Sequence, residues 1–437
     1  MSLRPTFKHD LAREITRWRT DGMIDEAQAQ AICARYGLDY HNLHTLQHRT
    51  LGYHVLLVLG YLFIGLALIT LIGANWDSIP RGLRMGALVV LTASTQMLGL
   101  HYFRSGRREA AARLFFLGNL FFGASIILIA QIYHLGEQMA DGVFWWALGG
   151  LPFALLLPTR LLGLQTLALA LIWFFMEVSD GFYPALFPVL LVGVAYVLVR
   201  GKSSSLLFLG TVVATVLHIE YSLAVLWSAN GRPELRAEHF LIASSLGLLA
   251  YSASLWMVQH ASARVQAYGH DLARWSLSAF LLLLLILSFE SPWLRLLLAD
   301  FPHAASMAIF MAICCTGAAA LSWRYQHRQR IAALIAGNGF LLVVALGMDF
   351  TAAPWLRIAD NFALLAVGIG LLLHGVRSGI SRHFFLGIGV ILLTGMLRYF
   401  NLIGDYVGGA VLFIVFAGVM LGAAKYWRHH HKGGDAA

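Results

Sequence analysis

Charge is what this sequence has least of. Asp, Glu, Lys and Arg make up 12% of its 437 residues, against about 25% in an ordinary soluble domain. That deficit leaves no means of solvating a surface of this size in water. Lysine is almost absent: Lys8, Lys202, Lys425 and Lys432 are the whole set, and the remaining basic residues are Arg. Cysteine is nearly as rare, with Cys33, Cys314 and Cys315 only. No CxxC pair and no disulfide framework are present. Catalytic signatures are missing too: no P-loop, no G-x-G-x-x-G after a strand, no HExxH and no G-x-S-x-G elbow. No soluble domain interrupts the chain to bind ATP, which argues against primary active transport by this chain alone. No regular Arg ladder suggests a voltage sensor. About fifty mostly polar residues precede the first apolar run, so the N-terminus does not read as a signal peptide.

What the chain has is hydrophobicity, 59% of its residues with mean hydropathy +0.71. From residue 51 to 424 apolar stretches alternate with short loops. Spans are expected near 53–74, 85–103, 114–132, 143–158, 161–177, 183–199, 205–227, 240–258, 273–289, 303–323, 331–348, 361–376, 383–399 and 407–424. Each approaches the length a bilayer core requires. Charge alternates with them. One set of loops and helix ends carries Arg104, Arg107, Arg108, Arg113, Arg160, Arg200, Lys202, Arg264, Arg274, Arg324, Arg328, Arg330, Arg377 and Arg382, with Glu109 and Asp271 as its acids. The other set holds Asp77, Glu137, Asp141, Glu177, Asp180, Glu234, Glu238, Glu290, Asp300, Asp349, Asp360 and Asp405, mixed with arginines such as Arg357 and Arg398. Cationic loops stay on the cytoplasmic side, and one missed span would invert the pattern downstream. The expected fold class is therefore all-α: a polytopic integral membrane helical bundle of about fourteen transmembrane helices. Both termini are expected in the cytoplasm of a bacterial inner membrane. The net charge of +9 then faces anionic lipid headgroups, and no nucleic acid is expected as a partner.

Residues 1–50 read as a cytosolic helical hairpin. Leu11, Ile15 and Trp18 recur at helical spacing over 7–20, Asp21-Gly22 breaks that helix, and a second runs over 25–36 with Ile24, Ala27 and Ala31 on one face. Gly37 supplies its stop. The transmembrane domain spans 51–424, and 425–437 is a basic tail. His429, His430 and His431 in that tail lack the fixed geometry of a metal site, so neither metal nor cofactor is expected. Leu59–Trp76 and Leu117–His134 share an L-G-x-L-F-x-G frame, which reads either as a duplicated two-helix unit or as chance recurrence in membrane helices.

No residue stands out as catalytic, but three groups are candidate functional polar sites. Asn75, Trp76 and Asp77, with Gln131, Tyr133, His134 and Glu137, fall where the first and third spans leave the membrane. They read as two helix ends, with Asp77 or Ser78 capping a turn, or as one outward polar pocket. Glu220 lies inside the seventh span, where a carboxylate is costly unless it meets water or a partner. The alternative is a misplaced boundary that leaves it at the interface. His218, two residues away, points to another face. Arg398 and Asp405, near the last two spans, read as an ion pair across a turn or as a site. Gln96, Asn119, Asn338 and His374 read as ordinary interhelical polar groups.

Trp18, Gly22, Ile24, Gln28, Ile32 and Tyr36 fill a W-x3-G-x-I-x3-Q-x3-I-x3-Y pattern. Ala74-Asn75-Trp76-Asp77, the run GASIILIAQIY from Gly123 to Tyr133, and Trp145-Trp146-Ala147-Leu148 follow it. With these motifs the chain resembles the DUF2157 family of predicted bacterial membrane proteins, most densely over residues 15–160. RYFNLIGDY near the C-terminus resembles the ending of longer members. The resemblance implies an inner-membrane protein of unknown function and carries over no catalytic residue. Three functions stay open: a permease for lipids or small molecules, a non-catalytic scaffold or sensor in an envelope complex, and an outer-leaflet lipid-modifying enzyme using Asp77, His134 or Glu137. The expected partners are membrane lipids, and a protein met through the N-terminal hairpin or the outer loops.

Overall fold

A computed structural model describes residues 23–36, 79–133, 139–228, 236–322, 328–379, 381–402 and 406–430, with isolated positions at 11, 14, 15, 18, 19, 40, 63 and 233. Among them there is helix and no strand. The chain divides into two compact units, Met1–Ala87 and Leu88–Ala437.

In the first unit, α1 (Glu26–Tyr36) opens with a reciprocal cap. The Gln28 backbone N–H donates to Asp25 Oδ1 at 2.6 Å, and the Asp25 N–H donates to Gln28 Oε1 at 3.0 Å. Two donors left over at the helix start are thereby satisfied. Ile15, Ala29 and Cys33 form a small buried cluster, flanked by Leu11, Trp18, Ile24 and Ile32. Arg19 donates to the Tyr40 hydroxyl at 2.8 Å. Of the span expected at 53–74, and of the first copy of the L-G-x-L-F-x-G frame within it, only Phe63 is among the described residues.

The helices that follow α1 are α2 (Arg81–Arg104), α3 (Arg108–Tyr133), α4 (Met139–Leu156), α5 (Arg160–Asp180), α6 (Phe187–Arg200), α7 (Ser205–Leu226), α8 (Ala237–Val258), α9 (Ala263–Leu287), α10 (Glu290–Leu297), α11 (Ala304–Ser322), α12 (Arg328–Gly347), α13 (Ala353–Ser378), α14 (Ser381–Leu402) and α15 (Tyr406–His430). Every expected span from 85–103 onward coincides with one of them. Among the described residues ten helices are long and apolar enough to cross a membrane, with shorter apolar stretches at Phe187–Arg200, His383–Tyr399 and Leu412–Ala423. Large apolar side chains such as Val192, Ile313, Val343, Phe362 and Ile414 point outward. An exposed apolar surface of that extent needs lipid around it. The chain is a membrane protein with several apolar helices.

The largest departures from expectation are two helix starts and one additional short helix. The helix expected to begin at 273 begins at Ala263, because its first turns are polar and escape a hydropathy reading. Asp271 there is buried and ion-paired with Arg274 one turn on. The helix expected from 361 starts at Ala353, with Pro354 in its first turn, where proline's fixed φ suits the helix. The short α10 was not anticipated at all; it buries Trp293 and Leu296, and Trp293 Nε1–H donates to the Leu287 carbonyl at 2.6 Å. The turn at Pro158-Thr159-Arg160 is where α4 passes to α5, with Thr159 as N-cap of α5.

The second unit has two buried clusters. One runs through α3–α7 around Phe115, Phe174, Phe187 and Val194; the other joins α8 to α9–α13 around Leu241, Ile242, Trp293 and Met307. With lipid outside, close backbone approach replaces hydrophobic driving force between helices. Gly123 of α3 leaves space for the Trp146 ring of α4, Gly149 for Phe122, and Gly150 for Asn119. The GASIILIAQIY and WWAL motifs are thus the two sides of one helix crossing. Gly269 brings α9 onto the α8 backbone at Ser254 and Val258, and Gly387 brings α14 onto the α13 backbone at Gly368 and Leu372. At the basic end, Arg264 donates to the Val199 carbonyl at 2.7 Å, a cation at a helix C-terminus. The Tyr268 hydroxyl accepts from the Ser204 N–H at 3.1 Å.

Candidate functional site

Glu220 is six residues before the end of α7, about 9 Å along the axis. Its side chain is 14% exposed, so it turns into the bundle rather than out to the interface. α8 returns antiparallel and brings His239, in its first turn, opposite. His239 Nδ1 lies 2.9 Å from Glu220 Oε2, with the His side chain 8% exposed. One proton is shared at that distance: Nδ1–H donates to a carboxylate, or a protonated carboxyl donates to Nδ1. Glu220 Oε1 is buried without a hydrogen-bond partner.

The arrangement continues past His239. The Trp227 ring at the end of α7 packs on His239 at 5.5 Å and stacks on His303 at 5.4 Å with only 10° between planes. The His303 backbone N–H donates to Glu238 Oε1 at 2.8 Å. Glu238 is fully buried, and its Oε2 likewise has no partner. Being in the first turn of α8, it faces the positive end of that helix dipole. Two buried acids, each with one open acceptor, thus flank two histidines and a tryptophan. Cys314 of α11 is buried within electrostatic reach of Glu220. Among the described residues no group of three His, Cys, Asp or Glu is arranged to hold a metal.

His218 takes the opposite face of α7. It stacks on Tyr183 at 5.8 Å and touches Phe174 and Phe187. The Tyr221 hydroxyl donates to the Phe182 carbonyl at 3.0 Å. On this side Trp173 Nε1–H donates to Glu177 Oε1 at 2.9 Å.

Arg398 finds its partners far upstream. Its Nη2 donates to Ser288 Oγ at 3.1 Å and its guanidinium lies 4.8 Å over the Phe289 ring. Asp405, its expected partner, lies outside the described residues. So do Asn75, Trp76, Asp77, His134 and Glu137. Gln131 is exposed near the end of α3, and of Tyr133 only the helical backbone is described. The outward pocket expected from these residues is therefore not assembled from described side chains.

Asn338 of α12 accepts from Ser245 of α8 at 3.0 Å, and His374 packs on His383 at 5.3 Å. Gln96 fits over Gly118. Only the first is an interhelical hydrogen bond of the expected kind, worth about 0.6 kcal/mol; Gln96 Oε1 has no hydrogen-bond partner. Sequence reasoning missed His239, Glu238 and His303. The signal for His239 was its position in the first turn of the helix that antiparallel pairing returns to Glu220.

Residues 16–163 match the family described as "Predicted membrane protein (DUF2157)". The match takes in α1–α4 and the start of α5. No curated protein and no solved structure matches the chain. Glu220, His239, Glu238 and Arg398 all lie beyond the matched segment, so their chemistry rests on their own geometry.

Proposed function

We propose that the protein is a permease for a small solute, with Glu220 and His239 as a proton-exchanging pair within the membrane. The observation that carries this reading is a buried carboxylate on a spanning helix, hydrogen-bonded on one oxygen and open on the other. Such a group is expensive in a bilayer and is rarely kept without use. Adding or removing the shared proton changes the charge of the pair, and a charge change at that depth biases helix packing toward a second arrangement. Glu238 and Trp227 line the same junction of α7, α8 and the segment entering α11.

The wider architecture proposed with it has about fourteen spans, counting the apolar stretch 53–74, in a bacterial inner membrane. Both termini are cytoplasmic, because Arg-rich loops recur at every second turn. The N-terminal helices form a cytosolic hairpin, supported by the Ile15–Ala29–Cys33 cluster, and they offer a surface to a protein partner. Of the other readings, a scaffold leaves the open oxygens unexplained. An outer-leaflet enzyme needs converged acid–base groups, and Asp77, His134 and Glu137, the residues read for that role, lie outside the described residues.

The test is flux. Proteoliposomes carrying the chain are loaded with a mixture of small metabolites and placed under an imposed pH gradient. Mass spectrometry of the external medium is expected to show at least one solute leaving faster than from vesicles carrying Glu220→Gln. Identical efflux of every solute from both preparations overturns the permease reading.

A further inference from the structure

A second buried polar cluster stands apart from Glu220, at the junction of α9, α10, α13 and α14. Ser288 ends α9, Glu290 starts α10, Arg357, Asp360 and Asn361 fall in the first turns of α13, and Arg398 is one turn from the end of α14. All six meet at one end of the bundle, opposite the Arg-rich turns. Arg357 Nη1 donates to Glu290 Oε2 at 2.6 Å, and this pair is the most exposed part of the cluster. Behind it, Asn361 Nδ2 donates to the Ser288 and Arg357 carbonyls at 3.0 and 2.6 Å.

Three polar atoms in the cluster have no partner: Asp360 Oδ2, Asn361 Oδ1 and Arg398 Nε. Asp360 is only 7% exposed and within electrostatic reach of Arg398. The first two atoms accept and the third donates. The charges are two carboxylates and two guanidiniums, so the cluster is balanced. A purely anionic ligand would satisfy the guanidiniums and repel Glu290 and Asp360; a purely cationic one would do the reverse. Only a ligand with both charges matches the open donor and the open acceptors together. The acceptors also ask for N–H hydrogens, which a primary ammonium has and a quaternary one lacks. The cluster sits at the ends of spanning helices, the depth at which lipid headgroups lie.

We propose that this cluster is a binding site for a zwitterion that joins a primary ammonium to a phosphate, as in an ethanolamine phospholipid headgroup. Arg357 and Arg398 take the phosphate, while Glu290, Asp360 and Asn361 take the ammonium. The ligand exchanges partners with the Arg357–Glu290 pair, which leaves every charge matched before and after.

The experiment is native mass spectrometry of the full chain with phosphatidylethanolamine, phosphatidylcholine or phosphatidylglycerol of identical acyl chains, and with soluble phosphoethanolamine. Phosphatidylethanolamine is expected to bind at least about tenfold more tightly than the other two lipids, the effect of one charge-assisted hydrogen bond. Asn361→Ala should remove that preference, whereas Arg398→Gln, which acts on the phosphate common to all three lipids, should weaken their binding alike. Soluble phosphoethanolamine competing at similar concentration assigns the site to a free zwitterion; failure to compete assigns it to the lipid. Equal binding of the three lipids, or preference for phosphatidylglycerol, overturns the proposal. The headgroup comparison is made on the unaltered chain, so a variant that fails to fold does not obscure it.

Discussion

Glu220→Ala is expected to destabilise the protein by about 3 kcal/mol or more, the cost of leaving one member of a buried hydrogen-bonded pair without its partner. His239 Nδ1 would face apolar side chains, because Trp227 already covers one face of its ring. Glu220→Gln should be much milder, about 1 kcal/mol. Its amide oxygen can still accept from Nδ1–H across 2.9 Å, and only the exchangeable proton is lost. His239→Ala should match Glu220→Ala. The double variant should cost clearly less than the sum, because two residues in contact are not independent. Thermal unfolding in detergent separates these cases. Equal melting temperatures for Glu220→Ala, Glu220→Gln and the unaltered chain would mean that the pair contributes nothing. The Gln variant matters most, since a folded but flux-inactive protein separates a proton role from a packing role.

Gly387→Ala should lower the melting temperature sharply. The added Cβ would stand 2.6 Å from both the Gly368 carbonyl oxygen and the Leu372 amide nitrogen. Both neighbours are backbone, so no rotamer change relieves the clash, and α13 and α14 must move apart. Overpacking of this kind costs about 1–3 kcal/mol, and the α13–α14 crossing is held by close approach along its length. Gly269→Ala at the α8–α9 crossing should behave alike, with its Cβ 2.7 Å from Val258 N and 2.8 Å from Ser254 O. Gly389→Ala is the control. Nothing lies within 4 Å of its Cβ, and alanine's better helix propensity should leave stability equal or slightly raised. A Gly387→Ala protein that melts with Gly389→Ala would show that the two helices are not packed so closely.

The helices were legible because a bilayer allows few alternatives: apolar runs of spanning length must satisfy their backbone internally. Hydropathy failed only where helix and bilayer part company. α9 extends through Arg264, Asp271 and Arg274 beyond its apolar stretch, and α10 is an eight-residue helix with Trp293 and Leu296 as its buried side. Glu220 stood out because a carboxylate among apolar residues is costly. Its partner did not, since His239 lies across a connection between two helices and same-helix spacing rules cannot reach it. Arg398 shows the same limit more strongly. Asp405 was its nearest acid in sequence, yet its hydrogen bond goes to Ser288, which arrives with a different helix. Glu238 read as a loop acid, and burial made it part of the site. The DUF2157-like motifs gained a physical meaning only in three dimensions, when Gly123 and Trp146 met across one crossing.

The central claim is that water reaches Glu220 from outside. Single cysteines at positions 75, 134, 218 and 220, in a chain with Cys33, Cys314 and Cys315 replaced, would be exposed to a membrane-impermeant thiol reagent added to the outer face. The permease account predicts labelling at 220 as well as at 75 and 134, with protection at 218, which is packed against Tyr183 and Phe187. Labelling at 75 and 134 with none at 220 would mean a dry, permanently closed pair, and would contradict transport through this site.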